Sequence, residues 1–321
     1  MKVTAVAHPI QGLMKYHGLL NPVKRIPFHD SISVCEGALS STTTVEAEQG
    51  IEADSIEING AEPTEREMER IRVVLDAIRN QRQSGVHLRV KSENSLRDAK
   101  GVGFSASGMA ALGYAANRAL EVGLSERELS EAVRLGAGSA TRSLAGGFAI
   151  WYADRDGGSY AERLPCPAEE SFRMLIVPIQ SNVRTDQAHR EVLTSPFFTA
   201  RIRSVRHYVK EMASAVRSGD LVKVCEMAEA DTLSLHAVTM TGSARMVLWE
   251  PETVEIMKAV RRLREEEGVP CWFSIDTGPS VFINTDSEHI MQAKAALVEI
   301  APKLIESSVG GPPRLLNEHL F

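Results

Sequence analysis

The sequence of 321 residues has few cysteines, few aromatic residues and no excess of positive charge. Its four cysteines lie far apart at Cys35, Cys166, Cys225 and Cys271, so we expect neither a disulfide framework nor a structural zinc site. The formal net charge of -6 supplies no basic field for a phosphate backbone, so we expect no nucleic-acid partner. The nine histidines form neither an H-E-x-x-H motif nor a tight cluster, so a histidine-ligated metal is not expected.

Long apolar runs are also absent. No stretch approaches the roughly 20 apolar residues that a membrane-spanning helix needs, so we expect no membrane partner. Residues 1–4 lack the apolar core of a signal peptide, and we therefore expect a cytoplasmic protein. With 43% hydrophobic and 24% charged residues, the composition is typical of a globular chain that forms one or two packed domains.

Strand and helix signals follow one another without a regular β-α-β repeat. β-branched or alternating runs predict strands at residues 3–7, 31–35, 42–48, 51–59, 87–92, 173–179, 271–275 and 280–284. Helical spacing and capping residues predict helices at 65–83, 107–122 and 125–135, two or three between 198 and 265, and one at 288–300. This mixture favours an α+β fold over a doubly wound sheet.

A glycine-rich segment, Gly-Val-Gly-Phe-Ser-Ala-Ser-Gly at residues 101–108, directly precedes an alanine-rich predicted helix. Glycines let the backbone approach an anion closely, and a helix N-terminus offers free N–H donors. The hydroxyls of Ser105 and Ser107 add further donors. Because the spacing matches neither of the two common nucleotide-binding fingerprints, a phosphate cradle and a plain turn with a capping serine remain equally open.

Two cationic side chains lie in segments that suit anion binding. Arg142 lies among small residues at 136–147, where its guanidinium can pair with a carboxylate or phosphate, or simply tie down a helix end. Lys15 precedes Gly18 where a predicted strand passes into a loop, and it can meet a phosphate or stay at the surface.

Asp276 lies in a D-T-G-P turn between two apolar predicted strands. Aspartic proteases also use a D-T-G turn, but they need a second copy from an internal repeat or a partner chain. This sequence has one copy, with Pro279 after it. The protease interpretation is therefore poor, which leaves a buried acid or base and a solvated turn residue as the alternatives.

Taken in order, these motifs resemble the mevalonate diphosphate decarboxylase branch of the GHMP kinase superfamily. That family reads roughly A-x-I-K-Y-W-G-K near the start, N-N-x-P-T-A-A-G-L-A-S-S-A-A-G before a helix, then G-S-G-S-A-C-R-S-x-x-G-G-F and F-D-A-G-P-N. The matching stretches here are residues 12–18, 94–108, 136–148 and 273–280. The similarity extends to residues 194–196, Asp231 and His236.

The resemblance implies a two-lobed α+β GHMP kinase fold with the active site in the cleft between the lobes. A ribosomal protein S5-like N-terminal lobe would span residues 1–178, and an α/β-sandwich C-terminal lobe would span residues 179–321. It also implies a homodimer, ATP and Mg²⁺ as cofactors, and a phosphorylated mevalonate as small-molecule substrate. In the implied reaction, ATP phosphorylates a tertiary 3-hydroxyl, whose departure as phosphate creates the carbocation character that drives loss of CO2.

Lys15, Arg142 and Asp276 match the catalytic set of that family. Asp276 would orient or deprotonate the 3-hydroxyl, and Lys15 would keep that carboxylate ionised while neutralising phosphoryl charge. Arg142, helped by Ser139, would hold the substrate carboxylate. Further substrate contacts are implied for Tyr16, Arg70, Arg184, Thr185 and His189. ATP contacts are implied for Asn94, Gly101, Gly103, Ser105, Ala106, Ser107 and Gly108, whereas no residue is implied as a Mg²⁺ ligand.

One departure from the family pattern bears on the substrate. Where the family has Trp-Gly-Lys-Arg, this sequence has His-Gly-Leu-Leu at residues 17–20, so a lysine near the terminal phosphates is missing. Arg70 matches the helix arginine that contacts the same phosphates, so the anion site has lost one cation and keeps another. We therefore expect 5-phosphomevalonate as substrate and isopentenyl phosphate as product, with the 5-diphosphate and isopentenyl diphosphate as the alternative.

Two other classes of function are less favoured. A mevalonate 3-kinase phosphorylates the same hydroxyl without decarboxylation, and such relatives depart from the catalytic set that is complete here. A non-catalytic ligand-sensing protein on the same scaffold is disfavoured because Asp276 and the glycine-rich segment are both present.

Overall fold

The computed structural model describes residues 1–48, 50, 52–81, 85–96, 102–180 and 185–321. Within those residues the chain forms three larger β-sheets, one two-stranded hairpin and nine α-helices. Helices and strands are mixed along the chain, as expected for an α+β fold. In the same ranges no helix has both the length and the apolar character needed to cross a membrane.

The first sheet has five strands and includes both ends of the described chain. Its strands are β1 (Lys2–Ala7), β6 (Ser41–Glu48), β7 (Ser55–Ile58), β8 (His87–Asn94) and β15 (Arg314–Leu316), in the order β15-β1-β6-β8-β7. Neighbouring strands are antiparallel except β7 and β8. Helices α1 (Glu65–Asn80), α2 (Phe104–Ala119) and α3 (Glu126–Gly136) cover this sheet, and Val45, Leu75 and Leu112 belong to the core between them.

The second sheet carries the N-terminal part of the candidate site. Its order is β10-β9-β5-β2, with the strands β2 (Ile10–Met14), β5 (Ser31–Cys35), β9 (Phe148–Trp151) and β10 (Ala161–Arg163). Strands β3 (Leu19–Asn21) and β4 (Ile26–Pro27) form the small hairpin between β2 and β5. Helix α4 (Ala140–Ala145) lies just before β9 in the chain.

The third sheet is antiparallel, with the order β12-β13-β11-β14. Its strands are β11 (Phe172–Val177), β12 (Trp272–Ile275), β13 (Val281–Asp286) and β14 (Ile305–Ser308). The helices of this half are α5 (Thr185–Glu191), α6 (Phe198–Ser218), α7 (Leu221–Met240), α8 (Pro251–Glu267) and α9 (Ile290–Leu297). Short 3-10 turns occupy Glu169–Ser171 and Val192–Thr194.

The second and third sheets meet where β2 runs past β12. The hydroxyl of Ser274 on β12 donates a hydrogen bond to the backbone carbonyl of Gly12 on β2, at 3.2 Å. Helices α6 and α7 pack against β2 and β5 through a shared apolar core that includes Leu13, Val34 and Val209. The C-terminal ends of β2 and β12 and the middle of α7 therefore lie close together, and this is where the candidate site forms.

Each predicted strand and helix has a counterpart in the structure, with shifted ends. The largest correction concerns α2, which begins at Phe104 rather than at 107, so residues 105–108 lie on the helix and not in a loop. Gly103 precedes the helix with φ +77°, a conformation that favours glycine. The predicted end of α1 at 83, the start of the 51–59 strand and Gly101 lie outside the described residues.

Two strands cross the predicted division between residues 178 and 179. Strand β11 ends at Val177 but pairs with β13 and β14 in the third sheet. Strand β15 comes from the far end of the chain but pairs with β1 in the first sheet. The two halves of the chain are therefore linked by backbone hydrogen bonds as well as by sequence.

Candidate active site

Asp276 lies in the turn after β12, half-buried against β2. The backbone N–H of Gly12 donates to both carboxylate oxygens, at 3.0 and 3.2 Å. A Cβ on Gly12 would come within 2.8 Å of Asp276 Oδ1 and 2.9 Å of Lys15 Cγ, so this approach requires glycine. Burial raises the pKa of Asp276, whereas the Lys15 charge and the Gly12 N–H oppose that rise. The ionisation of this carboxyl group thus depends on its two neighbours.

Lys15 follows β2 and is buried beside α7. Its Nζ donates to Thr232 Oγ1 at 3.0 Å and to the carbonyl of Ala228 at 3.3 Å. Burial lowers the pKa of Lys15, and the negative charges of Asp231 and Asp276 oppose that effect. The hydrogen bonds of the ammonium group therefore go to α7, and Lys15 acts on Asp276 through its charge.

A buried ion pair holds the backbone of Lys15. Asp231 Oδ2 accepts from the backbone N–H of Lys15 at 2.8 Å, and Asp231 Oδ1 accepts from Arg201 Nη2 at 2.9 Å. Arg201 Nη2 also donates to the carbonyl of Lys15 at 3.1 Å. Because the side chains of Arg201 and Asp231 are each only 3% exposed, solvent screens this network weakly.

Helix α7 also contacts the strand that carries Asp276. Thr232 Oγ1 accepts from the backbone N–H of Ile275 at 3.2 Å. His236 Nε2 donates to the backbone carbonyl of Asp276 at 3.0 Å. Burial lowers the pKa of His236 to about 4, so this ring is neutral near pH 7. One helix therefore positions both the lysine and the aspartate of the site.

Arg142, on α4, lies between two aromatic rings. Its guanidinium carbon is 5.3 Å from the ring centre of Tyr16 and 5.7 Å from that of Trp151. Its Nη1 donates to Ser31 Oγ at 3.1 Å, and among the described residues its Nε has no hydrogen-bond partner. Burial lowers the pKa of Arg142. A buried guanidinium with unused donors suits a carboxylate or phosphate ligand.

Tyr16 connects Arg142 with the opposite end of the site. Its ring packs edge-on against Trp151 at 4.8 Å and stacks on His189 at 5.1 Å. The backbone N–H of Gly18 donates to His189 Nδ1 at 3.1 Å, which leaves His189 Nε2 as the protonated nitrogen of the neutral ring. Burial lowers the pKa of His189 to about 4, so it acts as a neutral donor near pH 7.

A cavity of about 180 Å³ lies beside the start of α2. Asn94, Ser105 and Gly108 of the predicted ATP set line it, together with Arg70 of the predicted substrate set. The rest of the lining is mostly apolar, with three polar members, namely Ile56, Ile58, Ile71, Val90, Phe104, Met109 and Leu112 together with Thr43, Glu67 and Ser92. No side chain caps α2, so its first N–H groups are available to an anion. The cavity combines an apolar wall with anion-binding donors, as a nucleotide requires.

Two predicted ATP residues lie in the protein core rather than along this cavity. Ala106 packs against Ile10 and Cys35. The Oγ of Ser107 is fully buried, 2.7 Å from the Oγ of Ser41. Their direct contact with a nucleotide stays a prediction.

The remaining predicted substrate residues lie on different elements. Ser139 is half-buried at the start of α4, and Thr185 is the exposed first residue of α5. Arg70 projects from α1, with its Nε donating to the carbonyl of Gly136 at 2.6 Å. Arg184 lies outside the described residues.

Gly12 and Arg201 are not among the residues predicted from the sequence. A glycine inside a strand indicates close approach of another group, which was a usable signal for Gly12. In the sequence nothing distinguishes Arg201 from the other arginines of α6, because only the fold brings Asp231 next to it. Among the described residues, no group of three or more His, Cys, Asp or Glu side chains is arranged to hold a metal ion.

These features combine a cavity at a helix N-terminus with a buried set of Asp276, Lys15 and Arg142 whose charges influence one another, as an enzyme site requires. A family model for the diphosphomevalonate decarboxylase-like N-terminal domain matches residues 7–161. A model for the mevalonate 5-diphosphate decarboxylase C-terminal domain matches residues 181–312. The chain therefore belongs to the diphosphomevalonate decarboxylase family, which confirms the resemblance seen in its motifs.

Individual relatives cover nearly the whole chain. Phosphomevalonate decarboxylase from Haloferax volcanii is 40% identical, over 99% of this chain and 98% of that protein. A solved structure of MDDEF in complex with MVAPP, AMPPCP and magnesium has a TM-score of 0.92 at 30% identity and covers 99% of both chains. Mevalonate diphosphate decarboxylase from Staphylococcus aureus has a TM-score of 0.93 at 29% identity and covers 98% of both chains. These matches confirm the predicted GHMP kinase fold.

Proposed function

We propose that the protein decarboxylates 5-phosphomevalonate with ATP and Mg²⁺, yielding isopentenyl phosphate, ADP, phosphate and CO2 for isoprenoid synthesis through the mevalonate pathway. The observation that carries the reaction type is the convergence of Asp276, Lys15 and Arg142, which are buried within electrostatic reach of one another. The 40% identity to a phosphomevalonate decarboxylase supports the monophosphate substrate.

Asp276 prepares the 3-hydroxyl for attack. Its carboxylate is fixed by the N–H of Gly12, so it can accept the hydroxyl proton and direct the oxygen toward a phosphoryl group. The charge of Lys15 favours the ionised carboxylate and offsets negative charge that develops during phosphoryl transfer. Phosphoryl transfer depends mainly on such positioning and charge neutralisation.

Arg142 holds the carboxylate that later leaves as CO2. Its side chain is fixed between Tyr16 and Trp151, and its planar guanidinium, in which Nε has no partner among the described residues, matches a carboxylate. The departing 3-phosphate takes the C–O electron pair, and the C–C bond to the carboxylate then supplies the electrons of the new double bond. Ser139 at the start of α4 adds a hydroxyl donor on the same side.

The cavity beside α2 is the proposed site for ATP, where Asn94, Ser105 and Gly108 would bind it. When bound, MgATP supplies the γ-phosphoryl group. Mg²⁺ commonly binds through phosphate oxygens and water with few protein ligands, in keeping with the lack of a metal-binding cluster among the described residues. The solved complex of MDDEF with AMPPCP and magnesium supports this cofactor assignment.

We further propose a cytoplasmic homodimer whose lobes divide near residues 178 and 179. The family resemblance supports the dimer and the division into lobes.

The second candidate is decarboxylation of 5-diphosphomevalonate. Its support is the structural likeness to mevalonate diphosphate decarboxylase from Staphylococcus aureus. Against it stands Leu19, which occupies the position of the family's lysine, because an apolar side chain cannot pair with a second phosphate.

The test is a comparison of ADP and CO2 release by purified protein with MgATP and each of three substrates. We expect equal ADP and CO2 from 5-phosphomevalonate, a smaller kcat/KM with 5-diphosphomevalonate and little turnover of mevalonate. Asp276→Asn should abolish both products. ADP without CO2 would contradict the decarboxylase assignment, and preference for the diphosphate would contradict the substrate assignment alone.

A further inference from the structure

An arginine cluster comprises Arg66 and Arg70 of α1 and Arg25 before β4, and two of its three members face the carboxylate of Asp186. The guanidinium of Arg66 contacts Asp186 directly, and Arg25 Nη1 lies 4.0 Å from Asp186 Oδ1. Burial, together with the positive charges of Arg25 and Arg66, lowers the pKa of Arg70 to about 10. Among the described residues, Asp186 is the acid that forms ion pairs within this cluster of three guanidiniums, which leaves an excess of positive charge there.

The second acid near Arg70 is already engaged. Glu67 belongs to the capping box of α1, where its Oε2 accepts from the backbone N–H of Thr64 at 2.9 Å and from its hydroxyl at 2.7 Å. Side-chain exposure is 19% for Arg25, 40% for Arg66 and 33% for Asp186, so a ligand can reach the cluster. An anion entering from solvent would therefore meet partly desolvated cations, where charge-assisted hydrogen bonds are strong.

Two of these guanidiniums are fixed by successive backbone carbonyls at the end of α3. Arg25 Nε donates to the carbonyl of Leu135 at 2.9 Å, and Arg70 Nε donates to the carbonyl of Gly136 at 2.6 Å. In each arginine the Nε group is therefore hydrogen-bonded to the backbone, and the Nη groups can bind other partners. Such preorganisation reduces the entropy lost when an anion binds.

The β3–β4 hairpin presents Arg25 in a specific conformation. Arg25 directly precedes β4 and has φ +50°, which is uncommon for a residue other than glycine. The hairpin is tied to α3 a second time, since Arg134 Nε donates to the carbonyl of Lys24 at 2.9 Å. The backbone strain at Arg25 is thus held in place by the surrounding structure, as is common at ligand-binding residues.

Tyr16 and His189 link this cluster to the catalytic set. Burial raises the pKa of Tyr16, and the positive charges of Arg142, Arg25 and Arg70 oppose that rise. The charge of Arg25 also adds to the burial that lowers the pKa of His189. Tyr16 therefore lies within electrostatic reach of Arg142 and of the Arg25–Arg70 pair.

We propose that Arg25, together with Arg70, binds the 5-phosphate of the substrate and makes the site selective for a monophosphate. This assignment rests on the proposed function. Leu19 and Leu20 remove the cations that the family pattern has on one side of the hairpin, whereas Arg25 supplies a cation on the other side. A single phosphate can satisfy Arg25 and Arg70 together, but a second phosphate finds leucine where the family has lysine, so the two substrates are discriminated.

The test is steady-state kinetics of Arg25→Gln with mevalonate, 5-phosphomevalonate and 5-diphosphomevalonate. We expect KM for 5-phosphomevalonate to rise about 10- to 100-fold, since a charge-assisted pair to phosphate is lost. The KM for ATP, and any turnover of mevalonate, should stay unchanged because neither depends on the 5-phosphate. Arg25→Lys should recover part of the loss because it keeps the charge.

Two control variants separate phosphate binding from hairpin structure. Arg72→Gln removes an exposed charge from α1 and should leave all parameters unchanged. Arg134→Gln removes the other hairpin tether and should affect all substrates to the same extent. The proposal is overturned if Arg25→Gln leaves KM for 5-phosphomevalonate unchanged or weakens mevalonate equally, or if the wild-type protein prefers the diphosphate.

Calorimetric measurement of 5-phosphomevalonate binding in the absence of ATP tests this proposal independently of the proposed reaction. If the wild-type protein turns over none of the substrates, the proposed function fails, but 5-phosphomevalonate binding still tests Arg25. Binding by the wild-type protein that Arg25→Gln weakens at least tenfold would support the proposal. Equal binding by both proteins, or no binding by the wild-type protein, would overturn it.

Discussion

At the scale of single residues, the proposed mechanism depends on an ionised Asp276 in surroundings that disfavour charge. Burial raises its pKa, and the opposing contributions come from Lys15 and from the backbone N–H of Gly12. Lys15 is itself buried, and Arg201 and Asp231 fix its backbone. The protonation state of the proposed base is thus controlled by side chains from both halves of the chain.

Lys15→Met should show this control in the pH dependence of the reaction. Removing the cation raises the pKa of Asp276 further, so the acidic fall of kcat/KM should move to higher pH. We also expect kcat to fall about 100-fold or more because phosphoryl charge is no longer neutralised. The measurement is kcat/KM across pH, with Lys258→Met on the exposed side of α8 as control. An unshifted acidic limb would contradict the role given to Lys15.

Glu36 offers a second residue-scale prediction, this time on stability. It is fully buried at the end of β5, and neither carboxylate oxygen has a hydrogen-bond partner among the described residues. Burial raises its pKa well above the ordinary value, and the nearby negative charge of Asp276 adds to the rise. The folded state therefore holds the proton more tightly than the unfolded state, so this group costs stability as pH rises above its ordinary pKa.

Glu36→Gln should raise the free energy of unfolding by about 1–3 kcal/mol near neutral pH, because it removes a buried unpaired acid. The gain should shrink toward pH 4, where the native glutamate is protonated in both states. Urea unfolding at several pH values measures it, with the exposed Glu52→Gln as the control. If Glu36→Gln instead lowered the free energy of unfolding by the same amount at all pH values, Glu36 would have a hydrogen-bond partner in the folded protein.

At the scale of elements, local signals predicted most of the fold. The capping boxes at Thr64 and Ser125 both form, and they fix the starts of α1 and α3. For β2 the sequence predicted only a transition from strand to loop near Lys15 and no bounds, because all five residues of the strand are buried and polar alternation is absent. Strand β15 was not predicted because three residues are too few to show an alternation of polar and apolar side chains. Its pairing with β1 stabilises it in the fold.

The close approach of β2 to the turn after β12 carries an element-scale prediction. Gly12→Ala places a methyl group against Asp276 and Lys15, so the two elements must separate and the carboxylate loses its alignment. We expect kcat/KM to fall about 10- to 100-fold, since small displacements of catalytic groups have effects of this size. Gly85→Ala, where a Cβ meets no atom within 4 Å, is the matched control. Activity retained in Gly12→Ala would show that this contact does not position Asp276.

At the scale of the whole molecule, the site is built from contacts that no local pattern shows. Gly12 and Asp276 are 264 positions apart, and Lys15 and Asp231 are 216 apart. The order of the motifs allowed Lys15, Arg142 and Asp276 to be grouped through a family resemblance. The supporting residues Arg201 and Thr232 required the packing of α6 and α7 against β2, which only the folded chain displays.

The most direct test of the substrate assignment is a competition experiment with MgATP and equal concentrations of 5-phosphomevalonate and 5-diphosphomevalonate. The ratio of early products equals the ratio of the two kcat/KM values, and phosphorus NMR separates the products. We predict at least about tenfold more isopentenyl phosphate than isopentenyl diphosphate. In the proposed site Arg25 and Arg70 bind one phosphate, and Leu19 leaves a second phosphate without a cation. Isopentenyl diphosphate as the main product would contradict it.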